Sequence, residues 1–204
     1  MTVASIREVT TKKIKITLDS GFAFVLYKGE LCTYGISEGA ELTAENYNKI
    51  MNEVLPKRAK LRAMNLLKVR PYTVKGLTDK LIAGGYPSEI VDIAIEYVKS
   101  YKYLDDYQYA RDFIYTYKES KNKNKIFLDL ASKGVPKDVI SQAYDDEIGT
   151  EESDVELLQI KKFITKKGYF DRDFSYEETQ KLLASLYRKG FSAEMIRKCI
   201  TKID

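Results

Sequence analysis

Leu77-Thr78-Asp79-Lys80-Leu81-Ile82-Ala83-Gly84-Gly85-Tyr86-Pro87-Ser88-Glu89-Ile90-Val91 is the first of three versions of one phrase. The other two centre on Gly134 and Gly190, so the glycines stand 49 and 56 residues apart. Four residues before each glycine comes Leu81, Leu130 or Leu186; eight before comes Leu77, Ile126 or Leu182. Tyr86, Val135 or Phe191 follows the glycine, then Pro87, Pro136 or Ser192. Apolar pairs come next, Ile90-Val91, Val139-Ile140 and Met195-Ile196, and after them Ala94, Ala143 and Cys199.

The phrase has a physical reading. Apolar residues four apart share one face of a helix. The glycine lies past the helix end, where the backbone turns left-handed. Proline at N1, or serine as N-cap, then opens a second helix whose apolar stripe faces back onto the first. A further helix precedes each pair. The first runs from about 57 to 69 with Ala59, Ala63, Leu66 and Leu67 inward. The second begins at Asp105 or Asp106 with Tyr109, Ala110, Phe113 and Ile114 inward. The third covers about 151–167 with Leu157, Ile160, Phe163 and Ile164 inward. Ser175 and Glu178 have capping-box spacing for the helix that follows; so do Asp105 and Gln108, with Leu104 and Tyr109 as a hydrophobic staple. The expected fold is mainly α: an elongated array of tandem three-helix repeats at 55–104, 105–149 and 150–204.

Residues 1–54 read differently, as a small β-rich module with one helix. Positions 14–18 alternate apolar and polar, Asp19-Ser20-Gly21 is turn chemistry, and 22–27 form a second strand ended by Lys28-Gly29. An earlier strand over 3–9 completes a meander. Three strands are marginal alone, and a helix over 43–54, opened by Thr43, is expected to cover them.

Composition narrows the function. With no histidine among 204 residues, Ser-His-Asp and Cys-His sites, His-ligated zinc and imidazole acid–base chemistry are excluded. Cys32 and Cys199 are far apart and form no metal-type pair. No phosphate-loop or dinucleotide glycine motif occurs. The start lacks the apolar core of a signal peptide, and no apolar run is long enough for a membrane helix. A cytoplasmic, cofactor-free, metal-free, monomeric, non-enzymatic protein is expected, without membrane contact. Asp105 and Asp106 are adjacent, so on a helix their carboxylates diverge; they read as a cap and a first-turn acid, not as a catalytic dyad.

Charge is where binding is legible. The chain carries 34 Lys+Arg against 30 Asp+Glu, yet between 56 and 80 Lys57, Arg58, Lys60, Arg62, Lys68, Arg70, Lys75 and Lys80 face only Asp79. That imbalance reads as a surface for an acidic protein face or for phosphates, against the common fate of a solvated helix face. Lys118, Lys121, Lys123 and Lys125 form a second cluster at a helix junction, within reach of a phosphate backbone or else a polar loop. Lys161, Lys162, Lys166 and Lys167 read as one wet helix face. The acids from Asp145 to Glu156 read as a solvated linker and helix start. Tyr101, Tyr103, Tyr107, Tyr109, Tyr115 and Tyr117 crowd beside lysines; such a mixture can stack bases, although alternate members more readily serve as core and helix-seam cover.

Four phrases, in order, resemble the RecX family. Leu66-Leu67-Lys68-Val69-Arg70-Pro71-Tyr72-Thr73 with 77–81 is similar to its opening. Tyr103-Leu104-Asp105-Asp106, then Tyr109-Ala110, resembles its best-known signature. Residues 126–130 with Lys133-Gly134-Val135, and Tyr187-Arg188-Lys189-Gly190-Phe191-Ser192, are similar to the later two. Lys102 stands where the family usually has glycine, Thr73 where serine is common and Gly76 where glutamate is frequent; a glycine is missing from 121–125. The resemblance implies a negative regulator of homologous recombination that binds the RecA filament, lies in its groove and suppresses ATPase and strand exchange. Basic faces on the first two repeats would then meet the recombinase and single- or double-stranded DNA, and the signature residues and Gly85, Gly134 and Gly190 would be structural. The rival reading is a helix-turn-helix-type DNA-binding protein acting without recombinase.

Overall fold

A computed structural model describes residues 1–200. It is mainly helical, with tandem three-helix repeats behind a small antiparallel sheet, and divides into two compact units: one covers Met1–Asp105, the other starts at Asp106.

In the first unit the strands β1 (Val3–Glu8), β2 (Lys13–Leu18) and β3 (Ala23–Tyr27) pair antiparallel in sequence order. Ile16 lies opposite Phe24 and Ile14 opposite Leu26, so the period-two pattern buries one face: Ile14, Ile16, Leu18, Phe24 and Leu26. A short α1 (Glu30–Thr33) follows, then α2 (Ala44–Lys49), whose N-cap Thr43 accepts the Asn46 amide at 3.2 Å. The helices expected over 43–54 and 57–69 are not separate. α2 passes through a π turn, Ile50–Val54, directly into α3 (Leu55–Val69). There the Leu55 amide reaches back five residues to the Ile50 carbonyl. That wider turn accommodates the missing Pro56 N–H within a continuous helix. With α4 (Val74–Ala83) and α5 (Ser88–Ser100), α3 makes the first repeat. Sheet and repeat share one apolar cluster running from Val3 to Leu104.

The second unit holds α6 (Asp106–Tyr117), α7 (Lys123–Ser132) and α8 (Lys137–Ile148), then α9 (Glu152–Lys166), α10 (Tyr176–Arg188) and α11 (Ala193–Ile200). Its apolar residues form two clusters. One is built on Ala110, Ile114, Ile126, Leu130, Ile140 and Ala143, the other on Ile160, Ile164, Leu182, Leu186 and Ile196. Ser175 and Glu178 close the expected capping box: the serine hydroxyl accepts the Glu178 amide at 3.2 Å, and the carboxylate accepts the Ser175 amide at 3.0 Å.

The three aligned glycines are equivalent. Gly85, Gly134 and Gly190 have φ of 88°, 84° and 86°. Each donates at 2.9 Å to the carbonyl three residues back, and the next amide donates to the leucine five residues before it, Leu81, Leu130 or Leu186. This is the paired-bond helix stop that needs a left-handed residue. Pro87 and Pro136 are not at N1 as the sequence suggests but at the N-cap, with φ −59° and ψ of 153° and 146°. Proline's fixed φ suits that extended position as well as it suits the first helical one. The same stop closes α9 at Gly168 and, with a lysine in place of glycine, α5 at Lys102, whose φ is 57°.

Of the acidic stretch, Glu152 and Asp154 open α9 as expected, but its first part is not a linker. Asp145, Asp146 and Glu147 occupy the last turn of α8, where the helix dipole disfavours acids. Tyr107 donates its hydroxyl to Asp146 at 2.6 Å, and Arg111 holds Glu147 at 3.1 Å, which offsets the placement.

Candidate functional site

On α3, Lys57, Arg62 and Lys68 are exposed, and among the described residues none has a carboxylate within ion-pair distance. Lys60 places its ammonium 4.9 Å over the Tyr97 ring, and Arg70 stacks 4.6 Å over Tyr72. Lys75 pairs with Asp79 one turn on at 2.9 Å, both exposed.

Arg58 departs from the docking expectation. It grips both carboxylate oxygens of Glu30 and covers the Tyr27 ring at 4.8 Å. Burial opposes ionisation of Glu30, but the Arg58 hydrogen bonds, the Tyr27 amide and the guanidinium charge together hold its carboxyl below the usual range. Arg58 therefore ties α3 to the strand and short helix before it, and is structural. The first basic surface is thus smaller than its sequence count, centred on Lys57, Arg62 and Lys68.

In the second unit the lysines converge. An open groove of about 1200 Å³ has Lys118, Lys121 and Lys125 on one wall. Lys162 and Lys166 of α9 line the other, with Arg188 and Lys189 at the end of α10. Seven basic side chains meet a single lining acid, Glu119. Lys123 instead turns to Glu152 at 2.9 Å and lies 4.7 Å over Tyr144. Lys118 is held 5.1 Å over Tyr115. Lys121 and Lys125 share Asp129 at 2.8 and 2.7 Å; the Lys121 hydrogen bond, then that of Lys125, depresses its carboxyl. Lys162 similarly holds Glu119 low, at 2.6 Å. A groove with this excess of ammonium and guanidinium groups suits an extended polyanion.

Gln159 organises the groove floor. It is buried, and its amide donates to the Lys118 carbonyl and, at 2.9 Å, to the Lys121 carbonyl, pinning α9 against the end of α6. Both carbonyls lie past the last α6 residue, where a helix leaves acceptors unpaired.

The lysines read as a wet α9 face are thus divided: Lys162 and Lys166 line the groove, while Lys161 and Lys167 do not. Arg188, Lys189 and Gln159 were not singled out by sequence reasoning. The available signal was a basic pair directly before a glycine that must turn the chain, and a glutamine inside an apolar stripe. Of the signature residues, Leu104 and Ala110 are buried, Tyr109 and Asp106 half-buried, Asp105 exposed, and Tyr103 is 55 % exposed. No described helix is long and apolar enough to cross a membrane.

Comparison with known proteins agrees with this architecture. The profile described as "RecX, first three-helix domain" matches residues 59–97, and "RecX, third three-helix domain" matches 154–200. The regulatory protein RecX of Caldanaerobacter subterraneus is 32 % identical over 196 residues, covering 96 % of this chain and 95 % of that protein. The Bacillus pumilus protein of the same name is 29 % identical, covering 98 % and 76 %. Among solved structures, a crystal structure of regulatory protein RecX superposes with a TM-score of 0.64 at 20 % identity over 98 % of both chains. That of RecX from Lactobacillus salivarius gives 0.61 at 21 %, covering 74 % of this chain and 97 % of its own. Repeats, turns and full-length similarity coincide, and the chain belongs to the RecX family of regulatory proteins.

Proposed function

We propose that this protein binds the RecA recombinase filament and restrains its ATPase and strand-exchange activities, by docking and not by catalysis. It acts as a cytoplasmic monomer without a cofactor, and 55–104, 105–149 and 150–204 are its working repeats. The supporting observation is the convergence of seven cations on the groove between α6–α7 and α9–α10. That groove would take acidic filament surface or DNA phosphate, while Lys57, Arg62 and Lys68 offer a second contact. Bound in this way, the protein would bridge neighbouring recombinase subunits and hinder duplex entry.

The test is charge reversal at positions that are exposed or, for Lys118, half-buried. Lys118, Lys166 and Lys189 are changed to Glu in one variant, and Lys57, Arg62 and Lys68 in another. Arg58 is left intact because losing it would strand Glu30. Inhibition of recombinase ATPase is expected to weaken at least about tenfold, with helicity unchanged. Full inhibition by both variants would rule the reading out. Salt-sensitive DNA binding in the absence of recombinase, without inhibition, would favour the direct DNA-binding rival.

A further inference from the structure

The groove of the second unit is not lined by charge alone. Tyr115 of α6 and Leu128 of α7 line it too, each 66 % exposed, together with Phe163 of α9 and Phe191. A single exposed leucine on a helix needs no explanation. Two large apolar side chains left in water, in one opening with two phenylalanine rings, make an apolar strip among the cations. A chain of phosphate and sugar has no use for such a strip.

Charge sets what else the occupant must carry. Asp129 holds Lys121 and Lys125, and Glu119 holds Lys162. Outside the lining, Glu152 is matched by Lys123, while Glu156 and Asp112 bond the neutral groups of Ser192 and Gln108. Seven lining cations against Glu119, Asp129, Glu156 and Asp112 still leave the opening positive. Among the described residues, Lys118, Lys166, Arg188 and Lys189 have no carboxylate within ion-pair distance.

Bases would be the natural apolar companions of phosphate, but they need free ring faces. Here Lys118 already lies 5.1 Å over Tyr115, Lys189 lies 5.0 Å over Phe163, and Phe191 is buried. Leu128 has no π face to offer. Carboxylates interspersed with aliphatic side chains satisfy both halves of the lining.

We propose that the groove takes an acidic protein segment bearing aliphatic side chains. Its carboxylates meet Lys118, Lys166, Arg188 and Lys189, and an aliphatic anchor packs on Leu128 and Tyr115. The charges steer and set register, while the desolvated anchor contributes most of the hold. The inference rests on the recombinase reading and deepens it: the groove accepts the protein of the filament, not its DNA.

The experiment measures binding of the full chain to two probes, the recombinase filament and free labelled oligothymidylate. Leu128→Gln removes the anchor's partner, keeps a good helix former at an exposed position and touches no cation. Its melting temperature should match wild type. Filament affinity is expected to fall about tenfold, with oligothymidylate affinity unchanged. Leu128→Met, apolar and of similar volume, should retain filament binding. Lys166→Glu with Leu128 intact should also weaken the filament complex, and more at low salt than at high. Filament binding indifferent to Leu128→Gln overturns the proposal. So does a parallel loss of oligothymidylate affinity, which would make the occupant a nucleic acid. A wild-type chain that fails to bind the filament at all overturns the recombinase reading itself, and this inference with it.

Discussion

The two units hold their parts together by different means. In the first, the sheet and the helices behind it are welded by one continuous apolar cluster. The second keeps two apolar clusters and joins them mainly through polar contacts. Val155 of α9 does reach the nearer cluster. Its polar contacts include Gln159 on two carbonyls, Lys162 on Glu119 and Lys123 on Glu152. Apolar burial is indifferent to salt and resists stepwise loss, whereas exposed ion pairs contribute little each and weaken as salt rises. One polypeptide thus carries a rigid joint and a tunable one, and the cation-rich groove lies at the tunable one.

The sharpest contrast is between two equivalent glycines. A Cβ on Gly85 would stand 2.3 Å from Val25 Cγ2, a stiff β-branched side chain in the sheet. On Gly190 it would meet the Asn124 amide at 2.4 Å, the far end of a side chain free to swing away. Gly85→Ala should therefore cost about 3 kcal/mol, left-handed strain plus overpacking. Gly190→Ala should cost about 1 kcal/mol, strain alone. Urea denaturation measures both; equal losses would deny the close approach of turn and strand.

Gln159→Leu comes next. It strands the carbonyls of Lys118 and Lys121 and should destabilise the second unit by about 1–3 kcal/mol. Hydrogen exchange should quicken in α9–α11 and leave the first unit protected. Loss of protection in both units alike would remove the distinction between joints.

Acid should discriminate less strongly but in the same direction. Glu119 and Asp129 titrate below their ordinary values in the folded protein, through the Lys162 and Lys121 hydrogen bonds respectively. Such groups stabilise above the unfolded carboxylate pKa, and the contribution is lost as pH falls through the lowered folded value. Thermal melts from pH 7 down to about 3 should therefore show the second unit loosening through that window, its order recovering as pH rises. In the first unit Glu30 follows the same sign, so that unit should soften too, but with its apolar weld intact.

The smallest effect is a gain. Lys102→Gly removes left-handed strain and should stabilise the first unit by up to about 1 kcal/mol, net of glycine's extra unfolded-state entropy. A thermal melt shows it directly.

Much of this architecture was legible in residue order because local chemistry determined it. The repeat came from glycines that must turn left-handed and leucines at helical spacing, and all three stops formed alike. The sheet followed from period two at Ile14, Ile16 and Leu18. Misreadings arose where distant partners decide. The helices over 43–54 and 57–69 looked separate because nothing local announces a π turn. The acids 145–147 are largely solvated as read, but they end a helix instead of forming a linker, because Tyr107 and Arg111, which hold Asp146 and Glu147, lie more than thirty residues away. Arg58 counted as a surface charge until Glu30 was placed beside it. The groove was half legible: the lysines were visible as clusters, but only packing brings α6, α9 and α10 onto one opening.

The weld in the first unit has a consequence for how this chain can be rearranged. Its first repeat is not a cassette. Transplanted without the strands, it would leave Gly85 without its Val25 neighbour and Arg58 without its acid, while Leu55, Leu77 and Leu81 lost the shared interior that now covers them. Chimeras that exchange repeats among relatives should cut after Asp105, carrying sheet and helices as one piece.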